Sequence, residues 1–219
     1  MSLAGKRIVN TRAAHQAAEF DHLLRAQSAI PLAYPCIAIV PPENTAELDA
    51  ALQRRDFDLL VLTSANTVMI LAERARALGV SLNNVRAAAV GTSTAQAARD
   101  QLGVNVEVIP GTYTADALAD ALAVAPGARV LLPQSEIARP VLLNTLIANG
   151  ADVKAVTAYR TVCGSGGVQL APLLQAEQVD AVTFTSSSTV RCFVERLRNE
   201  STDARTALNG IKVACIGPQ

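Results

Sequence analysis

Five stretches of the chain bring hydroxyl, amide or glycine groups to points where a strand should give way to a helix: Thr11-Arg12, Thr63-Ser64-Ala65-Asn66, Gly91-Thr92-Ser93-Thr94, Gln134-Ser135 and Thr185-Ser186-Ser187-Ser188. The first amides of a helix have no partner inside it, and hydroxyls beside them complete an uncharged cradle for an anion. The chemistry on offer is capture of carboxylate or phosphate by neutral donors. Helix capping alone accounts for any one such serine or threonine. Several of them closing successive strands ask for a ligand, and the candidate binding residues are Thr63, Ser64, Asn66, Gly91, Ser93, Thr94, Ser135, Ser186, Ser187 and Ser188. Arg12 and Arg139 each fall early in a predicted helix, where a guanidinium can either pair with a ligand carboxylate or stand solvated.

Other chemistries find little support. His15 and His22, with Glu19 between them, share a helix face, but no further histidine exists to complete a metal site, and an exposed polar face explains them. A Ser-His-Asp relay has no GxSxG elbow to carry it. Neither GxGxxG nor a phosphate loop follows a strand, so no nucleotide is expected. Tyr159 and Arg160 lie in a return connector; Tyr159 could donate a proton there, or simply pack opposite Tyr34.

The elements that must position these groups occur twice. Asp58 to Val68 returns as Asp180 to Val190, and at the same offset of 122 residues Glu73, Arg74 and Arg76 recur as Glu195, Arg196 and Arg198. Gly127 to Leu132 restates Gly5 to Asn10 at that offset too, so the repeat includes the first strand. So many shared positions indicate an internal duplication. Within each copy, short apolar strands alternate with amphipathic helices, which predicts two doubly wound parallel-sheet α/β domains with ligands beyond the carboxyl ends of the strands, facing a shared cleft. Thr11 is expected to cap a helix over residues 12–26, Asn44 or Thr45 the next, and Thr114 or Asp116 a later one. The glycine-rich run Gly164-Ser165-Gly166-Gly167 is expected to flex. The last strand, Ile211 to Cys215, matches Val85 to Ala89, and the helix that should follow is missing, so roughly three dozen residues are expected to be absent, since a half-built sheet exposes an edge.

Composition bounds the reading. The 219 residues are 50% hydrophobic, ample for a packed core, and 19 basic residues balance 19 acidic ones, so no global field draws nucleic acid or an anionic membrane. The four cysteines show no CxxC spacing and mostly lie in apolar runs, which predicts reduced, buried thiols and a cytoplasmic location. No apolar run is long enough to span a membrane and no signal-peptide pattern precedes the first strand.

Taken in order, DLLVLTSANTV (58–68), AVGTSTA (89–95), YRTV (159–162), DAVTFTSSSTV (180–190) and ACIGP (214–218) resemble the uroporphyrinogen-III synthase family, and the likeness spans the whole chain. The resemblance implies two α/β domains joined by a two-stranded connector: residues 1–35 with 163–219, residues 41–157, and connector strands 36–40 and 158–162. It implies a monomer that needs no cofactor and cyclises the linear tetrapyrrole hydroxymethylbilane to uroporphyrinogen III, in haem and sirohaem biosynthesis, with the last pyrrole ring inverted and water lost. The family's tyrosine that helps the hydroxyl depart matches Tyr159, and a cleft threonine matches Thr94. A further family threonine falls just after the IGP turn, where this sequence ends at Gln219. The alternative is a two-lobed module that binds a small polyanion without catalysis.

Overall fold

The structure is a computed structural model that describes residues 2–216. Two compact units divide the chain: Met1–Ile39 with Thr161–Gln219, and Val40–Arg160. We call them the discontinuous and the continuous unit.

The chain opens with β1 (Arg7–Asn10), α1 (Ala14–Ala26) and β2 (Ile30–Ala33), then β3 (Ile37–Val40). The continuous unit follows with α2 (Ala46–Arg54), β4 (Leu59–Leu62), α3 (Ala65–Leu78), β5 (Arg86–Ala89), α4 (Thr92–Leu102), β6 (Asn105–Val108), α5 (Ala115–Ala121), β7 (Arg129–Ser135), α6 (Val141–Ala148) and the long β8 (Asp152–Cys163). The chain then completes the discontinuous unit with α7 (Leu170–Gln175), β9 (Ala181–Phe184), α8 (Ser187–Asn199), α9 (Ala204–Ala207) and β10 (Lys212–Cys215). One sheet has the order β10-β9-β1-β2 and the other β3-β8-β7-β4-β5-β6.

The strand pairings repeat with the sequence. β1 pairs parallel with β2 from Arg7↔Ile30 to Asn10↔Ala33, and β7 pairs parallel with β8 from Arg129↔Asp152 to Leu132↔Ala155, each partner displaced by the same 122 residues. Likewise Ile8 lies opposite Ala181 in one sheet and Val130 opposite Leu59 in the other. An acid clamp recurs with them: Asp58 accepts from the Arg129 amide (3.0 Å) and guanidinium (2.7 Å), and Asp180 from the Arg7 amide (2.8 Å) and Lys6 Nζ (2.7 Å). The pairings also exchange halves, because β1 of the first repeat lies beside β9 of the second, and β7 of the second beside β4 of the first.

Alternation in the strands sends side chains to both faces of each sheet. In the discontinuous unit Val9, Val182 and Phe184 meet Leu170, Leu174, Phe193 and Leu197 on one face, while Ile8 meets Leu24 on the other. Phe193 sits edge-on to both Tyr34 and Phe184, with centroids 5.7 and 5.1 Å away. In the continuous unit Val61, Ala88, Val130 and Leu132 pack against Leu118, Leu142 and Leu146 of α5 and α6. The opposite face is covered by α3 and α4, whose buried Val68, Leu71, Ala75, Ala95 and Ala98 recur at helical spacing. β5 offers these helices only the small side chains of Ala87 and Ala89, both fully buried.

Four expectations are corrected. Thr11 does not cap α1, which starts at Ala14; its hydroxyl donates instead to Thr183 O across the sheet (2.5 Å). Arg12 and Arg139 precede their helices rather than lying within them. Cys163 and Cys192 are not reduced thiols but a disulfide, because the end of β8 and the middle of α8 are brought together although 29 residues separate them; Cys215 is exposed and only Cys36 is a buried free thiol. The glycine run is held rather than loose. A Cβ on Gly164 would come within 2.6 Å of Pro35 O, and the Arg196 guanidinium binds Gly166 O (2.8 Å) and Pro35 O while lying 3.7 Å from the Tyr34 ring centroid. The expected chain end from Gly217 onward lies outside the described residues; β10, the edge strand before it, is exposed along its length.

Candidate functional site

In the continuous unit the strand order β8-β7-β4-β5 sets the carboxyl ends of β7, β4 and β5 side by side, with Tyr159 of β8 level with the end of β7. Those ends carry, in turn, Ser135, Thr63-Ser64 and Gly91 to Thr94. Val90 N donates to Leu62 O (3.0 Å), so the chains leaving β4 and β5 stay together as they turn into α3 and α4.

Ser64 opens α3 in an extended conformation, and its Oγ accepts from the amides of Asn66 (3.0 Å) and Thr67 (3.4 Å). The same oxygen lies 3.4 Å from the Tyr159 hydroxyl. Thr67 Oγ1, one turn into the helix, is buried with no hydrogen-bond partner.

Tyr159 owes its position to an irregularity. Gln134 lies opposite Thr157 and Ser135 opposite Tyr159, so β8 carries one extra residue, Ala158, at this point. Such a bulge re-aims the side chains that follow it. Ala158 and Tyr159 are both buried, and Tyr159 is left 8% exposed. Glu136 N donates to Tyr159 O (3.0 Å), pinning the backbone just past the bulge. Tyr34, in the discontinuous unit, meets the Phe193 ring edge-on and donates to Glu200 (2.8 Å).

The start of α4 is built differently. Gly91 is its N-cap and offers no side chain, so no hydroxyl occupies the first amides. Thr92 and Ser93 are exposed and Thr94 is buried. A Cβ on Gly91 would meet the Tyr113 ring at 3.1 Å, which favours glycine here. Ser135 Oγ accepts from Ile137 N (3.4 Å), and Arg139 is exposed in the turn before α6.

The corresponding residues of the discontinuous unit are more self-contained. Ser186 Oγ accepts from Thr189 N (3.2 Å), while Thr189 Oγ1 accepts from Ser186 N (3.2 Å) and donates to Ser186 O (2.6 Å), a closed capping box. Ser188 accepts from Arg191 (3.3 Å), and Ser187 is exposed. The Arg12 guanidinium lies over the Phe20 ring, 5.6 Å from its centroid.

Sequence reasoning overlooked a cavity of about 370 Å³ in the continuous unit, lined by Pro42, Glu43, Asn44, Glu47, Glu136, Thr157 and Arg160. Arg160 binds Glu43 there (2.9 Å) and its Nε is buried without a partner. Three carboxylates against one guanidinium repel an anion, so this is no carboxylate pocket.

The groups with strongly shifted ionisation are structural. Burial and the bond to Glu200 push the Tyr34 phenol well above its ordinary range, and burial pushes the Cys36 thiol up to about 12. Hydrogen bonds from Arg129 hold Asp58 down to about 2. Among the described residues no group of three or more His, Cys, Asp or Glu side chains could hold a metal ion, and His15, Glu19 and His22 lie exposed on α1.

The family model described as uroporphyrinogen-III synthase HemD matches residues 18–219. The uroporphyrinogen-III synthase of Synechococcus elongatus is 35% identical over 224 residues, covering 99% of this chain and 84% of that protein. The crystal structure of a mutant uroporphyrinogen III synthase from the extremely thermophilic bacterium Thermus thermophilus is similar with a TM-score of 0.63 at 23% identity, covering 97% of this chain and 85% of that one. That of the uroporphyrinogen-III synthetase from Helicobacter pylori gives 0.55 at 16%, covering 96% and 92%. At such identities the structures speak to the fold, while the sequence matches speak to descent. With a family model running almost end to end and a relative above 30% identity over nearly all of it, this chain belongs to the uroporphyrinogen-III synthase family.

Proposed function

We propose that the chain closes hydroxymethylbilane to uroporphyrinogen III, inverting the last pyrrole ring and releasing water, with Tyr159 as the proton donor to the departing hydroxyl. The observation that carries this reading is the Tyr159 phenol, set by a bulge level with the end of β7 and within reach of Ser64 at the start of α3. The phenol gives its proton to the hydroxymethyl oxygen, the C–O bond breaks, and water leaves an azafulvene. The substituted carbon of the last ring attacks the freed methylene to give a spiro intermediate, which fragments and recloses with that ring reversed. The proton lost as the ring regains aromaticity restores the balance.

Most of the work is orientation, which alone can account for a large part of a rate enhancement. The substrate's eight carboxylates need many weak donors rather than a few strong ones. In the continuous unit these are Thr63, Asn66, Ser93, Thr94, Ser135 and Arg139, with the Gly91 turn opening the uncapped amides of α4; in the discontinuous unit they are Arg12, Ser186, Ser187 and Ser188. Helix amides unclaimed by a side chain suit carboxylates without fixing a single pose.

Freshly generated hydroxymethylbilane, incubated with the protein, should yield the type III isomer after oxidation and separation. Spontaneous type I alone, with saturable uptake of the bilane, would mark a binding module instead. Tyr159→Phe should slow turnover about tenfold or more; unchanged turnover rejects the role. The same reading has the protein act as a monomer in the cytoplasm, which light scattering and cell fractionation would check. A Cys163–Cys192 bond persisting in protein trapped from cells would count against a reducing compartment.

A further inference from the structure

We infer that Ser64 is a positioning residue that donates its hydroxyl proton to the Tyr159 phenol oxygen, so that Tyr159's own proton is left free for the substrate; this rests on Tyr159 being the proton donor.

The inference follows from counting lone pairs. A serine hydroxyl carries one proton and two acceptor sites. The amides of Asn66 and Thr67 occupy both acceptor sites of Ser64, at 3.0 and 3.4 Å. The proton is all that Ser64 has left to offer, and the Tyr159 oxygen stands 3.4 Å away. Of the two directions open to this pair, donation from serine to phenol is the one that leaves the helix amides satisfied. The distance is long for a hydroxyl pair, as catalytic hydrogen bonds often are before substrate binds.

That direction has two effects. The phenol hydrogen cannot point back toward α3 and is turned outward. When that hydrogen departs, the negative charge on the phenol oxygen meets a hydroxyl already polarised by two amides at a helix N-terminus. The relay runs from the α3 amides through Ser64 to Tyr159.

The equivalent positions of the discontinuous unit keep the serine and one helix amide but lack the phenol. Ser186 accepts from a single amide and its box is closed by Thr189, and the residue 122 positions before Tyr159 is Ile37, which packs against the apolar core. A serine that serves only as a cap thus looks like Ser186, not like Ser64.

The test is a double-mutant cycle on the full chain with hydroxymethylbilane as substrate. Ser64→Ala should lower kcat roughly tenfold, the worth of one hydrogen bond, with KM nearly unchanged, and Ser64→Thr should restore most of the loss. In a Tyr159→Phe background Ser64→Ala should cost nothing more. Additive losses, or a loss confined to KM, would mean that Ser64 contacts substrate directly and would overturn the inference. Should Ser64→Ala unfold, Ser64→Gly keeps the helix start with little loss but has no proton to give; equal kcat for the glycine and threonine variants would overturn it too. If Tyr159→Phe alone leaves kcat intact, the reading of Tyr159 has failed before that of Ser64 is reached.

Discussion

α3 and α8 start from the same residues at the same spacing, Ser-x-x-Thr-Val after a buried strand, yet they finish their hydrogen bonds differently. At α8 the serine and threonine satisfy each other. At α3 the serine reaches Tyr159 and the threonine hydroxyl is buried with no partner. An unsatisfied buried hydroxyl costs about 1–3 kcal/mol. The sequence that makes a complete cap in one unit gives up part of that cap in the other, at the serine that the Tyr159 hydroxyl approaches. One motif thus supports two hydrogen-bonding schemes, and the surroundings decide which is made.

Four measurements sharpen or break this contrast. The largest effect should come from the covalent tie that steadies α8 and has no counterpart at α3. Cys163→Ser with Cys192→Ser should destabilise the discontinuous unit by about 2–4 kcal/mol, seen by hydrogen exchange in peptides of α8 and β9, while peptides of α3 keep their protection. Next, Thr189→Val opens the closed box and should cost about 1–2 kcal/mol in urea unfolding. The equivalent Thr67→Val removes a hydroxyl that bonds nothing and should be neutral or stabilising by up to about 1 kcal/mol; a loss as large as that for Thr189→Val would erase the distinction between the two caps.

The smallest effect concerns what the units share. Asp58 is held down to about 2 by hydrogen bonds from Arg129, and Asp180 is lowered by those from Lys6 and the Arg7 amide. A depressed carboxylate contributes stability above its unfolded value, about 3.9, and loses it as pH falls through the folded one. For Asp58 the loss should therefore run from about pH 4 down to about pH 2. Asp58 is exposed and the Asp180 side chain is 34% exposed, so the change is slight. Asp58→Asn should flatten the acid limb of the continuous unit and Asp180→Asn that of the other; an acid limb unmoved in both variants would show that the clamps add nothing.

Much of the architecture is readable in the chain because it is local. The helical spacing of Val68, Leu71, Ala72 and Ala75 shows in the burial of α3, Gly103 ends α4 in the left-handed conformation a C-cap needs, and Thr114 caps α5. What escaped depends on contacts made at a distance. Nothing in the spacing of Cys163 and Cys192 announces a bond, since it needs β8 and α8 to meet first. Thr11 looks like a cap from its neighbours, and only the adjacent strand claims its hydroxyl. The glycines after Cys163 read as freedom, whereas at Gly164 and Gly167 the backbone of Ala33 to Ile37 comes too close for a side chain. The bulge at Ala158 leaves no mark in the sequence, because the pairing that defines it is visible only across β7.

The exchange of halves between the two repeats has a consequence for synthesis on the ribosome. The stretch from Val40 to Arg160 is contiguous, so its compact unit can form as soon as that stretch has emerged. β1 and β2 are made first but must wait for β9, the neighbour that covers the open edge of β1, until after the later-made unit can already have formed. β1 and β2 therefore stay an unfinished sheet until β9 has emerged, and a chaperone that shields bare strand edges would have its longest hold there.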